Sequence, residues 1–176
     1  MRTGGPSLAE DHLLVEPAIE VLASTPAVLR TMLAPLPNDV LMAPGDEGWC
    51  ARDVVAHLAL RQRAAIIERV NAILQQQGEA IPNVPASLMD VEPQRARPFV
   101  ELLLEFESGR EDAVGVLRSI APEQWQLRGV QARLGELSIA EIVHHLAFHD
   151  LVHISQAARL ACAPFEPLRG AMRAFR

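Results

Sequence analysis

The sequence predicts an all-α protein organised as a four-helix bundle, with a short extra helix or a kink near its N-terminus. Three observations carry that expectation. Apolar residues recur at helical spacing in four long stretches, and no stretch alternates convincingly between apolar and polar residues as a half-buried strand would. Gly and Pro collect mainly between the stretches. With 176 residues and 49% hydrophobic content, the chain is long and apolar enough to bury the core of one domain without disulfides.

Residues 1–12 contain Gly4, Gly5 and Pro6 without apolar periodicity and are expected to form a flexible arm, leaving 13–176 as the single bundle domain. The first helix follows, with Pro17 in its first turn. Ser24-Thr25-Pro26 should kink or restart it, and Leu22, Val28, Leu29, Met32 and Leu33 supply its core stripe. Prolines 35, 37 and 44 end that helix, and Trp49 is placed to close one end of the bundle. From Ala51 to Gln77 the periodicity is strong and His57 sits inside it, with Gly78 as the C-terminal stop.

Residues 79–93 read as a crossover along the bundle. The third helix is expected from about Gln94, past Pro98, to Ser119, with Phe99, Leu102, Leu103, Phe106, Val114 and Leu117 inward. Gly129 and Gly135 suggest turns, and Ser138 with Glu141 makes a capping box for a fourth helix running to Ala161. The last residues, from Ala163, should fold back on the bundle, and the connections overall read as mostly short.

Charge and composition exclude several classes of function. A net charge of −6 without clustered arginines and aromatics argues against a nucleic-acid partner. No apolar run reaches the ~18 residues of a membrane span, and residues 1–12 lack the pattern of a secretory signal, so a cytoplasmic location is expected. All the basic residues are Arg, which removes Lys from any catalytic role. Cys50 and Cys162 form no C-x-x-C pair and read as isolated thiols.

The chemistry concentrates in the fourth helix, which carries four of the six histidines. At about 100° per residue, His145, His149 and His153 follow one another along one stripe flanked by Ile142, Leu146 and Val152, while His144 points elsewhere. Histidines one turn apart can grip a divalent metal, and His57 on the second helix is the candidate third ligand. The plainer reading is a set of hydrogen-bonded core histidines.

The segments GWCARDVVAHL, LLLEFESGREDAVGVL and LGELSIAEIVHHLAFHDLVHISQ together resemble the DinB-like family of four-helix bundles over about residues 13–175. The most specific elements are Trp-x7-His-Leu around Trp49 and His57, and His-Asp-x-x-His-x-x-Gln from His149 to Gln156. The resemblance implies that His57, His149 and His153 are a metal triad for zinc or nickel. It further implies a homodimer and a reaction on a small-molecule substrate, such as transfer or isomerisation with a low-molecular-weight thiol. The sequence departs from that pattern at Gln62, where an acidic residue is often found, and at Gln131, where another histidine often stands.

Around such a triad, Asp53 would either orient His57 or cap the helix, and Asp150 is spaced to orient His153. His145 reads as a fourth ligand, an acid–base group or a polar core residue, and Gln156 as a substrate contact or an interhelical bond. Arg61, Arg63 and Arg69 would meet carboxylates of a substrate or line a solvated face. A three-histidine site with an open position favours a metal-dependent enzyme; a site closed by His145 or a carboxylate favours a non-catalytic metal-binding or stress-associated bundle.

Overall fold

A computed structural model describes residues 14–45, 48–75 and 80–175. The expected arm at 1–12 and the stop at Gly78 lie outside them. Six α-helices are described: α1 (Val15–Leu33), α2 (Asn38–Leu41), α3 (Ala51–Gln62), α4 (Glu68–Gln75), α5 (Phe99–Arg118) and α6 (Ile139–Cys162). A π turn at Arg63–Ile67 joins α3 to α4, so the two form one rod, and α1, the α3–α4 rod, α5 and α6 make the four-helix bundle. α1 packs on α5 and α6, as does α3, which leaves α1 and α3 on one diagonal. The connections are accordingly longer than expected, because two of the three cross between helices that are not neighbours.

Pro26 does not restart the first helix, which runs unbroken from Val15 to Leu33. A proline lacks the N–H that would bond the carbonyl four residues back. Here that carbonyl belongs to Leu22, and the buried Arg110 Nη1 donates to it at 2.9 Å. The extra short helix is α2, after the first long helix. Val28, expected in the core, is 42% exposed.

Arg110 belongs to a polar layer that divides the core. One apolar cluster holds Ile19, Leu22, Ile66, Val70, Leu117 and Val143. A second holds Leu29, Leu33, Val54, Leu102, Phe106 and Ala157. Between them lie the buried side chains of Thr25, Gln62, Arg110 and Asp150, one from each long helix. Arg110 donates to Asp150 Oδ2 at 2.5 Å and to Gln62 Oε1 at 3.2 Å, so a single guanidinium ties α1, α3, α5 and α6. Gln62 Nε2 bonds the Phe106 carbonyl, and Gly109 is small enough to pass it: a Cβ there would lie 2.3 Å from Gln62 Nε2.

Other expectations need correction. α5 starts at Phe99, not Gln94; a residue before proline is held extended, as Arg97 is at ψ 151°, so Glu92–Ala96 forms a separate 3-10 turn. Phe99 is half-buried and packs against the second apolar cluster. Residues 128–138 form an antiparallel hairpin, β1 (Arg128–Gln131) and β2 (Gly135–Ser138), with Gly135 at φ 83°. Gln131 Oε1 accepts from the Arg133 and Leu134 amides in the turn, and Nε2 donates to Asn83, so this residue pins the hairpin to the crossover. The segment Ala163–Ala174 forms 3-10 turns with no buried residue, leaving Phe165, Leu168 and Met172 exposed, so it adds nothing to the core.

The capping box is present as expected, with the Ser138 hydroxyl accepting from the Glu141 amide at 3.1 Å. No helix among the described residues is long and apolar enough to cross a membrane.

Breaking a buried ion pair leaves an uncompensated charge and costs about 3–5 kcal/mol. Arg110→Met should therefore lower unfolding free energy by that amount in urea titrations. The double variant Arg110→Met, Asp150→Leu should recover most of the loss; no recovery would show that the layer stabilises by something other than charge pairing.

Candidate metal centre

The packing of α3 on α6 brings His57 to the face that carries His149 and His153. His149 Nε2 lies 3.4 Å from His57 Nε2 and 3.2 Å from His153 Nε2, and one ligand atom from each of the three falls within 4.8 Å of the others. Nitrogens bound at ~2.0–2.1 Å around a tetrahedral ion stand about 3.3–3.4 Å apart, so two of the three separations already match a shared ion. His57 is buried and the other two rings are half-buried.

The surroundings keep these rings neutral. Burial first, then Arg61 and His153, pushes His57 down to about 3. Burial first, then His153 and Arg61, takes His149 to about 3 as well. Burial also lowers His153, opposed by the hydrogen bond it donates to Gln156. Neutral imidazoles are the form that ligates metal. His153 Nδ1–H donates to Gln156 Oε1 at 2.8 Å, which leaves the Nε2 lone pair facing the other two rings. His57 Nδ1 is buried without a partner, so that ring is held by packing and by the Arg61 contact at Nε2 rather than by a bond at its far side. The donor set therefore fits a divalent ion.

Of Asp53, His145, Asp150 and Gln156, only the last hydrogen-bonds a member of the triad. Asp53 touches no histidine: its Oδ2 accepts from the Cys50 amide at 2.9 Å, and both oxygens accept from Arg95. It is the cap, and a clamp on the crossover. Asp150 is committed to Arg110 rather than to His153. His145 is exposed, its ring centroid 6.1 Å from that of His149, outside the converging set. Val152 is 45% exposed and does not wall the stripe. Cys50 is buried, and burial pushes its thiol up, so it stays protonated despite its place at the α3 N-terminus.

Two residues matter more than the sequence suggested. Trp49 stands against the site itself, nearly parallel to His153 at 6.2 Å and edge-on to His57 at 5.1 Å. Its spacing of eight residues to His57 was the available signal. A cleft of about 320 Å³ opens behind it, lined also by Gln156, Arg159 and Leu160. Arg61 is the second: its Nη1 donates at 3.0 Å to His57 Nε2 and at 3.1 Å to His149 Nε2. The sequence offered it as a contact for substrate carboxylates or as part of a solvated face, not as a partner of the histidines.

Comparison with known proteins agrees with this picture of the fold. A family model described as the DinB superfamily matches residues 22–157. Among solved structures, YfiT from Bacillus subtilis, described as a probable metal-dependent hydrolase with an unusual four-helix bundle topology, superposes with a TM-score of 0.68 at 20% sequence identity, covering 90% of this chain and 91% of its own. No curated protein matches the sequence significantly. The matched span runs from the first bundle helix through all three converging histidines, and the chain belongs to the DinB superfamily.

Proposed function

We propose that the protein is a metal-dependent enzyme acting on a small molecule, with His57, His149 and His153 holding one zinc or nickel ion. The observation that carries this reading is the convergence of three neutral imidazole nitrogens while His145 and every nearby carboxylate stay out of the set. Three protein ligands leave a position open, which is the pattern of catalytic rather than closed structural sites. The non-catalytic alternative would need a fourth ligand, and Asp53 and Asp150 are both already paired with arginines.

An ion held there supplies Lewis acidity, polarising a carbonyl or acidifying a thiol or a water. The chain's own residues do the rest. Gln156 fixes the tautomer of His153, Trp49 shields two of the rings from solvent, and the half-buried setting keeps local electrostatics strong. We further propose a low-molecular-weight thiol as co-substrate in a transferase or isomerase reaction, on the family resemblance. Hydrolysis is the second reading, favoured by the description of YfiT. A panel of thiols and ester or amide substrates, assayed with zinc-loaded and nickel-loaded protein, separates the two.

A homodimer is part of the same proposal. Phe148, Leu151 and Val152 form an apolar stripe on the outer face of α6, exposed by 66%, 52% and 45%. Light scattering at micromolar concentration should return twice the 19.3 kDa chain mass; a monomer mass would dismiss the dimer.

Elemental analysis of protein purified without an affinity tag should find one metal ion per chain. His57→Ala, His149→Ala and His153→Ala should each weaken zinc binding by at least about 100-fold, while His144→Ala and His145→Ala retain it; normal binding by His149→Ala would remove the triad.

The pH dependence has a definite sign. His57 and His149 are held neutral in the folded protein, well below the ordinary imidazole value of 6.5. Unfolding lets them take up protons, so the stability this contributes is present above pH ~6.5 and is lost as pH falls toward about 3, by about 1.4 kcal/mol per pH unit for each histidine at most. Urea midpoints of metal-free protein should fall steadily from pH 7 to pH 4. Zinc affinity, with two of the three ligands already neutral, should fall less steeply below pH 6 than three ordinary histidines would require. A steep loss of affinity centred near pH 6.5 would show that the rings are not shielded.

A further inference from the structure

We propose that Arg61, Arg69 and His145 form a carboxylate-binding pocket on the flank of the triad, so that the small molecule brought to the metal carries an acid group. The inference rests on the reading of the triad as a metal site. A pocket beside His149 is lined by Arg61, Arg69, Arg110, His145 and Asp150. Three arginines thus face one carboxylate, and Asp150 is already committed to Arg110. Among the described residues neither Arg61 nor Arg69 has an acidic partner; Arg69 Nε donates only to the Pro82 carbonyl, and Arg61 Nε is buried with no partner.

Half-buried guanidinium groups without counter-charges are costly, and here burial lowers the pKa of both, with Arg69 adding to the effect on Arg61. The backbone is shaped to bring them together. In an uninterrupted α-helix Arg69 would stand about 80° around from Arg61, at ~100° per residue over eight residues. The π turn at Arg63–Ile67 inserts one extra residue, which takes back about 100° and puts the two side chains on nearly one face.

Arg61 also links the pocket to the metal. An imidazole Nε2 has one lone pair, and those of His57 and His149 are taken by Arg61 Nη1. A metal ion and this contact are mutually exclusive. An ion in the triad would therefore displace Arg61 from the rings and add positive charge beside it, leaving its guanidinium free to face an anion at the pocket, about 30 Å³, that it lines. The planar fork of a guanidinium matches a carboxylate.

The test is calorimetric titration of succinate, with acetate as the single-carboxylate comparison, into zinc-loaded wild type, Arg69→Gln, Arg69→Lys and His145→Leu, after zinc content has been measured on each. The expected result is equal zinc content throughout, with succinate bound about tenfold more weakly by Arg69→Gln and most of that affinity kept by Arg69→Lys. His145 is exposed, so His145→Leu should fold even if an Arg69 variant does not, and its succinate affinity should fall about fivefold. Absence of succinate binding by zinc-loaded wild type, or undiminished wild-type affinity in both Arg69→Gln and His145→Leu, overturns the pocket while leaving the metal site standing. Wild-type protein that takes up no zinc overturns the metal reading, and the pocket with it.

Discussion

The bundle depends on one buried guanidinium. Arg110 reaches Leu22 on α1, Gln62 on α3 and Asp150 on α6 from its own place on α5, and all of these lie in the protein interior. Two apolar clusters alone would allow the helices to slide or rotate against one another with little change in buried area. A charged group with directional donors has a single arrangement in which its partners are satisfied. It also makes the unbroken first helix tolerable, because the carbonyl that Pro26 leaves free is the one Arg110 binds.

The position of the three-histidine cluster follows from that layer. Asp150 is adjacent in sequence to His149, so fixing the carboxylate against Arg110 fixes the rotation of α6 that points His149 and His153 at α3. Gln62 is held in the same layer five residues after His57, which sets the rotation of α3. Just beyond Gln62 the helix relaxes into a π turn, a feature common near functional sites. The rings then sit with their lone pairs converging and their charge suppressed by burial. Converging lone pairs left unpaired would be costly, and the contact from Arg61 satisfies two of them.

Features set by neighbours in sequence were legible, and features set by distant partners were not. The capping box at Ser138 and Glu141, the length of α6 and the His149-x3-His153 spacing are local, and each stands where the sequence placed it. That His57 would join them required only that two amphipathic helices pack. The continuous helix through Pro26 was hidden because its compensation comes from Arg110, far along the chain. Asp53 gave no sign of Arg95, which reaches it from the crossover, so its capping and orienting roles could not be told apart. The hairpin escaped notice because four-residue strands give almost no alternation, and the side chain that fastens its turn, Gln131, was weighed only as a missing histidine. The role of Arg61 needed both the tertiary contact and the altered helical phase after it.

The most direct measurement is X-ray absorption spectroscopy at the metal edge of protein loaded with one equivalent of zinc. Three imidazole nitrogens at about 2.0–2.1 Å with one further light-atom donor, unchanged by His145→Ala, is the expected coordination. A shell of four histidines, or one containing a protein carboxylate or thiolate, would contradict an open three-histidine centre.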